Sequence, residues 1–423
     1  MAKRASGTMV WPMPSPEPLV TTPPVPPSTE PHWVRRGTWA WARINLALFL
    51  SGYAVFSQLY CVQPLLPDFA RVFSVSAAES SLALSLSTGF LAVAILIAGA
   101  LSQSLSRKTL MLASLLAAAV LELAAAAAPS WPVLLTLRAL EGLALGGAPA
   151  VAMAYLAEEI EPAGLGAAMG LYIGGNAAGG MAGRVVTGLV AEHADWRMAL
   201  AVIGALGLLA ALGFAALLPP SRNFRPAPLG GLSPHVAAWG RHLRDPRLAA
   251  LFAVAFLAMG GFVTVYNYVG FRLMEPPWDL GQAAVGAIFL VYLAGIVASP
   301  LAGTAADRFG RAPVLAAGLV LGGLGLALTL ASALALIVAG IALVTAGFFT
   351  AHTVAGGWVG ARARGDKAHA SSLYLLAYYL GSSVMGSLGG YAWTHAGWTG
   401  VAAFVAVLLA VQCVIALRLR DNS

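Results

Sequence analysis

Long apolar stretches separated by short polar or basic breaks fill almost the whole chain. A hydrocarbon core of about 30 Å takes roughly 20 helical residues at about 1.5 Å each, so apolar runs of about 18 or more read as membrane spans. Twelve can be marked, at about 44–66, 80–101, 110–128, 132–156, 166–190, 197–218, 248–271, 280–301, 313–331, 333–358, 370–392 and 398–417. The pattern predicts an all-α integral membrane protein with twelve transmembrane helices. Composition agrees: 59% of residues are hydrophobic and 10% charged, with mean hydropathy +0.80, where a soluble domain carries about 25% charged residues.

Charge adds an orientation, because Lys and Arg collect on cytoplasmic loops. With both termini cytoplasmic, nineteen of the 24 lie inside, three (Arg71, Arg197 and Arg272) lie outside, and Arg138 and Arg184 fall within spans. The net charge of +7 is then a topology signal and calls for no nucleic-acid partner. The expected location is the plasma (inner) membrane, crossed many times, with the lipid bilayer as partner and a monomer as the unit.

Two stretches break the pattern. Residues 1–40 open with nine prolines in 37 residues and lack the apolar core of a signal peptide, so they read as a disordered cytoplasmic tail. Residues 219–246 begin Pro219-Pro220 and carry HVAAWGRHLRDPR, a cytoplasmic linker with a short helix suited to the inner leaflet. They divide a six-helix half over 41–218 from another over 247–423.

The halves repeat each other. GALSQSLSRK at 99–108 and GTAADRFGR at 303–311 sit 204 residues apart, share Gly99/Gly303 and Arg107/Arg311, and each separates two apolar runs. HADW at 193–196 matches HAGW at 395–398, an offset of 202, and Tyr172 and Tyr374 share that register. Six spans between copies return both to the same side, as in a parallel repeat about an axis along the membrane normal.

At these residues the chain resembles the major facilitator superfamily. GTAADRFGR matches its signature loop of Gly, three residues, Asp-Arg, one residue and Gly-Arg, with the degenerate copy where that family usually keeps the better one. RALEG at 138–142 resembles its fourth-span motif, and GNAAGG at 175–180 the glycine-rich fifth-span motif of its antiporters, with Asn176 where Pro is usual. Over about 40–420 the chain looks most like the acriflavine-sensitivity, YnfM-type branch of the drug:proton antiporters. The resemblance implies two pseudo-symmetric halves rocking about a central site, and a fifth span that slides at their interface.

Charges inside spans each cost on the order of 3 kcal/mol on insertion scales, so they mark function. There are four: Glu122, Arg138, Glu141 and Arg184. Glu122 and Arg138 stand about eight residues either side of the turn Pro129-Ser130-Trp131-Pro132, at similar depth on antiparallel helices, and Glu141 lies three residues from Arg138 on the same face. One guanidinium between two carboxylates leaves an acid able to carry a proton. A static structural pair is the plainer reading, and it fits Glu122 better than Glu141. Arg184, near the outer end of its span, either joins an outer ion pair or snorkels toward Glu192 or Asp195.

For the gate, Asp307, Arg308 and Arg311 crowd one helix end. The acidic Glu158, Glu159 and Glu161 are expected to face them across the cytoplasmic interface, while Arg107 and Lys108 face Asp366 across the other contact. Tyr53, Gln58, Tyr60, Gln63, Asn176, Tyr266, Asn267, Tyr268, His352, Tyr378 and Tyr379 are expected around a neutral, aromatic-walled cavity, although packing alone would account for each taken singly.

Cys61 and Cys413 fall inside spans, no metal cluster or nucleophile–base pair stands out, and glycines in apolar helices are out of context for a nucleotide loop. No cofactor and no enzyme activity are expected. The reading is proton-coupled efflux of small organic compounds, drug-like, amphipathic, cationic or sugar-like. Uptake or exchange of a metabolite is the alternative, and a non-transporting receptor or scaffold a third, which four intramembrane charges disfavour.

Overall fold

The computed structural model describes residues 33–102, 104–224 and 233–420. The Pro-rich tail to residue 32, Gln103 of the damaged repeat, and Arg225 with the middle of the linker lie outside the described residues. Helices account for every regular element there, and the one β-bridge, Val34 with Ile160, ties residues just ahead of the first helix to a distant turn.

The first helix, α1 (Trp39–Tyr60), is capped by the Thr38 hydroxyl accepting from the Trp41 amide. The chain continues through α2 (Leu66–Phe73) and α3 (Ala77–Ser80), where Ser76 and Glu79 form a reciprocal capping box. Next come α4 (Leu82–Leu101), α5 (Arg107–Ala126), α6 (Trp131–Leu145) and α7 (Gly147–Glu159). Pro132 sits in the first turn of α6, where its missing N–H is not needed. Then follow α8 (Pro162–His193) and α9 (Trp196–Leu217), capped by Asp195. The linker helix is α10 (Ser233–Leu243), where the sequence predicts one; it lies against the last long helix through Trp239 Nε1, which donates to Ser372 Oγ at 3.2 Å.

The remaining elements are α11 (Pro246–Leu273), α12 (Gln282–Ile288), α13 (Tyr292–Phe309), α14 (Arg311–Leu328), α15 (Leu334–Arg362) and α16 (Lys367–Arg420). Gly310, at φ +88°, makes the break between α13 and α14, a backbone that only glycine adopts freely.

Ten helices among the described residues are long and apolar enough to cross a membrane. Two predicted runs are counted differently. The 32-residue α8 is not among the ten, because its glycines and Arg184 dilute its apolar content. The 54-residue α16 is counted once, although Ala396 and Gly397 break it with non-helical backbone. That break falls in HAGW, as the α8–α9 break falls in HADW, so the repeated tetrapeptide marks the same bend twice.

Close helix approach repeats too. A Cβ on Gly175, Gly179 or Gly183 of α8 would strike the α1 backbone at Phe49, Tyr53 or Ser57, and one on Gly381 of α16 would strike Phe256 of α11. The face of α8 that carries Gly175, Gly179 and Gly183 is thus buried against α1, within the first six runs. Further along, α8 also meets the later helices, where Gly188 lies against Gly286 of α12.

Candidate functional site: a buried charge triad beside a central cavity

Arg138 on α6, Glu122 on α5 and Glu141 on α6 are all fully buried. Arg138 Nη1 donates to Glu122 Oε2 at 2.7 Å and to Glu141 Oε2 at 2.5 Å, so both predicted partners are in place. The rest of the fork holds backbone: Nη1 and Nη2 reach the Gln58 and Leu59 carbonyls at 3.2 and 3.0 Å, and Nε reaches that of Ala83 at 3.2 Å. Glu122 Oε1 accepts from Cys61 Sγ at 3.0 Å, while Glu141 Oε1 is buried with no partner. Arg138 therefore grips the last turn of α1 while two acids compete for it.

The other face of that turn borders a cavity of about 320 Å³ between elements of both halves of the chain. Tyr60, Asn176, His352, Tyr378 and Tyr379 are in its wall, together with Arg184, so the wall is not the neutral one expected. Tyr53, Gln58, Tyr266 and Asn267 are not in its wall. The Gln58 amide turns back to the Ala54 carbonyl, Tyr266 bonds Thr345 at 2.7 Å, and Asn267 accepts from Gln63 Nε2 at 2.8 Å. The Tyr268 hydroxyl donates to the Gly386 carbonyl, away from the cavity. Nor does Gln63 line the wall. An α-helical turn exposes one face to a cavity and gives the others to neighbours, and polarity alone does not say which is which.

Two parts of the wall went unread in the sequence. Phe262 and Phe348 stack with ring centroids 3.9 Å apart and 11° between planes, and Tyr292 lies edge-on to Phe262. These aromatics sit in apolar runs with no polar signal to single them out. Arg184 was visible but misplaced: it neither snorkels nor joins a carboxylate. It is 1% exposed, with Nε donating to Gln63 Oε1 at 2.6 Å, Nη1 to the Gly180 carbonyl at 2.5 Å and Nη2 to the Tyr292 hydroxyl at 3.1 Å. Its guanidinium lies 4.3 Å from the Tyr60 ring centroid and 4.7 Å from that of Tyr292.

Residues before and after the linker are tied together at the end where α8 stops. There Gln282 Nε2 donates to Asp68 Oδ2 at 2.6 Å and the Ala283 amide to Glu192 at 3.1 Å, joining the two halves of the chain. At the opposite end, each ion pair stays on its own side of the linker or joins the linker to the second half. Arg107 pairs with Glu158 at 2.7 Å, Arg362 with Asp245 at 3.5 Å, and Arg241 with Asp366. Glu159 accepts from the Ser221 hydroxyl and the Arg222 and Asn223 amides. Lys108 caps the Ala215 and Leu218 carbonyls. The expected cross-pairs, Glu158 and Glu159 with Arg308 and Arg311, and Arg107 with Asp366, are therefore absent here; Asp307, Arg308 and Arg311 stand exposed. Glu158, Glu159, Arg107 and Asp366 thus find their partners on their own side or in the linker.

A helical membrane protein in which residues before and after a linker line one cavity flanked by buried charges has the architecture of a solute carrier. A sequence profile of the Major Facilitator Superfamily matches residues 45–287 and 273–423. The inner membrane transport protein YnfM of Escherichia coli is 47% identical over 92% of this chain and 93% of its own length. The MFS-type transporter YybF of Bacillus subtilis is 45% identical over 90% and 94%. Among solved structures, a bacterial homologue of the human lysosomal transporter Spinster, inward-facing and occupied, superposes with TM-score 0.73 at 15% identity, covering 90% of this chain and 97% of that one. A mutant of the nucleoside transporter NupG gives 0.72 at 15% identity over 89% and 99%. The chain belongs to the Major Facilitator Superfamily, with relatives of the YnfM type; it is a multi-pass membrane transport protein and not an enzyme.

Proposed function

We propose that this protein is a proton-coupled exporter of small amphipathic organic compounds, working by alternating access. Twelve spans are obtained when α8 is added to the ten and α16 is divided at Gly397. The halves are 41–218 and 247–423, joined by the linker 219–246, with both termini cytoplasmic as the basic residues require. The tied end is then the outer one, and the described state opens inward.

The observation that carries the coupling is the unpartnered oxygen of Glu141 in a triad with two acids and one guanidinium. Fully ionised, the set holds a net negative charge in a dry interior, at a cost of several kcal/mol; one proton on Glu141 removes it. Arg138 holds the end of α1, whose Tyr60 lines the cavity, so loading the proton and loading the cavity act on one turn of helix.

Glu141→Gln mimics the protonated acid. In proteoliposomes with an imposed pH gradient, screened over a compound panel, it is expected to lower gradient-driven transport at least a hundredfold while counterflow exchange stays within about threefold of wild type. Undiminished gradient-driven transport would overturn the assignment.

A further inference from the structure

Arg184 is a buried cation without a counter-ion. None of the ion pairs among the described residues includes it, and no Asp or Glu lines the cavity it borders. Arginine carries five N–H donors, and three are accounted for by Gln63, Gly180 and Tyr292. Beside it the Tyr60 hydroxyl is buried and bonded to nothing. Cation–π contact with the surrounding rings offsets part of the desolvation, at about 0.5–2 kcal/mol each, but supplies no negative charge. A neutral side chain would have held Gln63 and Tyr292 without the cost of a buried guanidinium.

We propose that Arg184, with the Tyr60 hydroxyl, is the recognition site for the carboxylate of an amphipathic organic monoanion, whose apolar body lies against Phe262, Phe348 and Tyr378. This rests on the cavity being the transported compound's site and names its class. A carboxylate in that position takes the two spare guanidinium donors and the free hydroxyl together, and neutralises the one full charge in the wall. One guanidinium matches one negative charge. The same cation repels ammonium compounds in a low-dielectric pocket, so the cationic substrates expected from sequence are disfavoured. At about 320 Å³ the cavity is at the small end of ligand sites, which run to about 1,000 Å³, a size for one or two rings.

The test uses the full-length protein purified in detergent, with no gradient present, and isothermal titration with 2-naphthoate, 2-naphthamide and 2-naphthylmethylammonium. At neutral pH, 2-naphthoate is expected to bind at least tenfold more tightly than the amide, with the ammonium weakest. Arg184→Gln is expected to abolish the preference for the carboxylate over the amide, and Arg184→Lys to restore part of it. Should Arg184→Gln fail to fold, Tyr60→Phe keeps the ring and removes only the hydroxyl; it is expected to cut naphthoate affinity several-fold and leave the amide unchanged. Binding of the amide or the ammonium as tight as that of naphthoate, no naphthoate binding, or full carboxylate preference in both Arg184→Gln and Tyr60→Phe would overturn the proposal. The coupling assignment is read separately in proteoliposomes. Gradient-driven export of the ammonium without naphthoate binding would sink the anion site and leave proton coupling standing. Selective naphthoate binding without gradient-driven flux would do the reverse.

Discussion

Arg138 makes five contacts with one guanidinium: two carboxylates and three carbonyls. Two of those carbonyls belong to the last turn of α1, so the residue is a clamp on a neighbouring helix as well as a counter-ion. A lysine in its place keeps the charge but loses the planar fork. Removing one partner of a buried pair costs about 3–5 kcal/mol. Arg138→Ala is therefore expected to lower the melting temperature in detergent and to abolish pH-gradient-driven transport. Arg138→Lys is expected to recover much of the melting temperature but only a minor part of the transport. Equal recovery of both would show that charge alone matters there. The triad was legible in the sequence because charges are rare in spans, and a short turn between two helices sets their depth. Arg184 was equally conspicuous, but its partners were not: Gln63 and Tyr292 come from distant chain segments, and its three-residue and four-residue neighbours hold no acid.

At the scale of elements, α8 lies along α1 through glycines spaced four apart, and α16 lies along α11 at Gly381 in the same register. Backbone-to-backbone approach of this kind is how membrane helices gain packing without a hydrophobic drive. Gly179→Ala places a methyl against the Tyr53 backbone, which has no rotamer to yield, and overpacking of this sort costs about 1–3 kcal/mol. The expected result is a lower melting temperature, whereas Gly174→Ala, with open space around its Cβ, is expected to leave it unchanged. A matching drop in both would mean that helix flexibility, and not contact, is what the glycines provide. Small residues at a four-residue spacing announced a close contact; which helix they meet depends on how α8 is rotated, and that is a property of the assembled bundle.

Across the whole molecule, Gln282 with Asp68 and Ala283 with Glu192 tie residues before the linker to residues after it at one end, while at the other Asp307, Arg308 and Arg311 stand exposed. Exposed pairs are worth about 0–1 kcal/mol, so the loop motif contributes to this state little or nothing. If it pairs across the interface only when the inner end closes, Arg311→Ala shifts the population toward the inward-open arrangement. Gln282→Ala, which removes the tie to Asp68 at the opposite end, shifts it the other way. A hydrogen bond of about 1 kcal/mol corresponds to roughly a fivefold change in the ratio of states. Spin labels at the Glu159 end of α7 and the Phe309 end of α13 are expected to report longer distances in Arg311→Ala and shorter ones in Gln282→Ala. Shifts in the same direction would remove the two-ended gate from the mechanism.

The sequence alone determined the helical class, the repeat, the family and the presence of a buried acid–guanidinium set. Each follows from short-range facts: how much apolar chain a bilayer requires, what spacing stacks side chains on a helix, and what a charge costs away from water. Which face of α1 meets the cavity, which helix takes the glycine edge of α8, and where Arg184 finds its donors' partners were decided only in the tertiary structure. Those depend on the rotation of each helix about its own axis. In a chain whose spans are apolar on every side, lipid-facing and helix-facing residues look alike, and only packing distinguishes them.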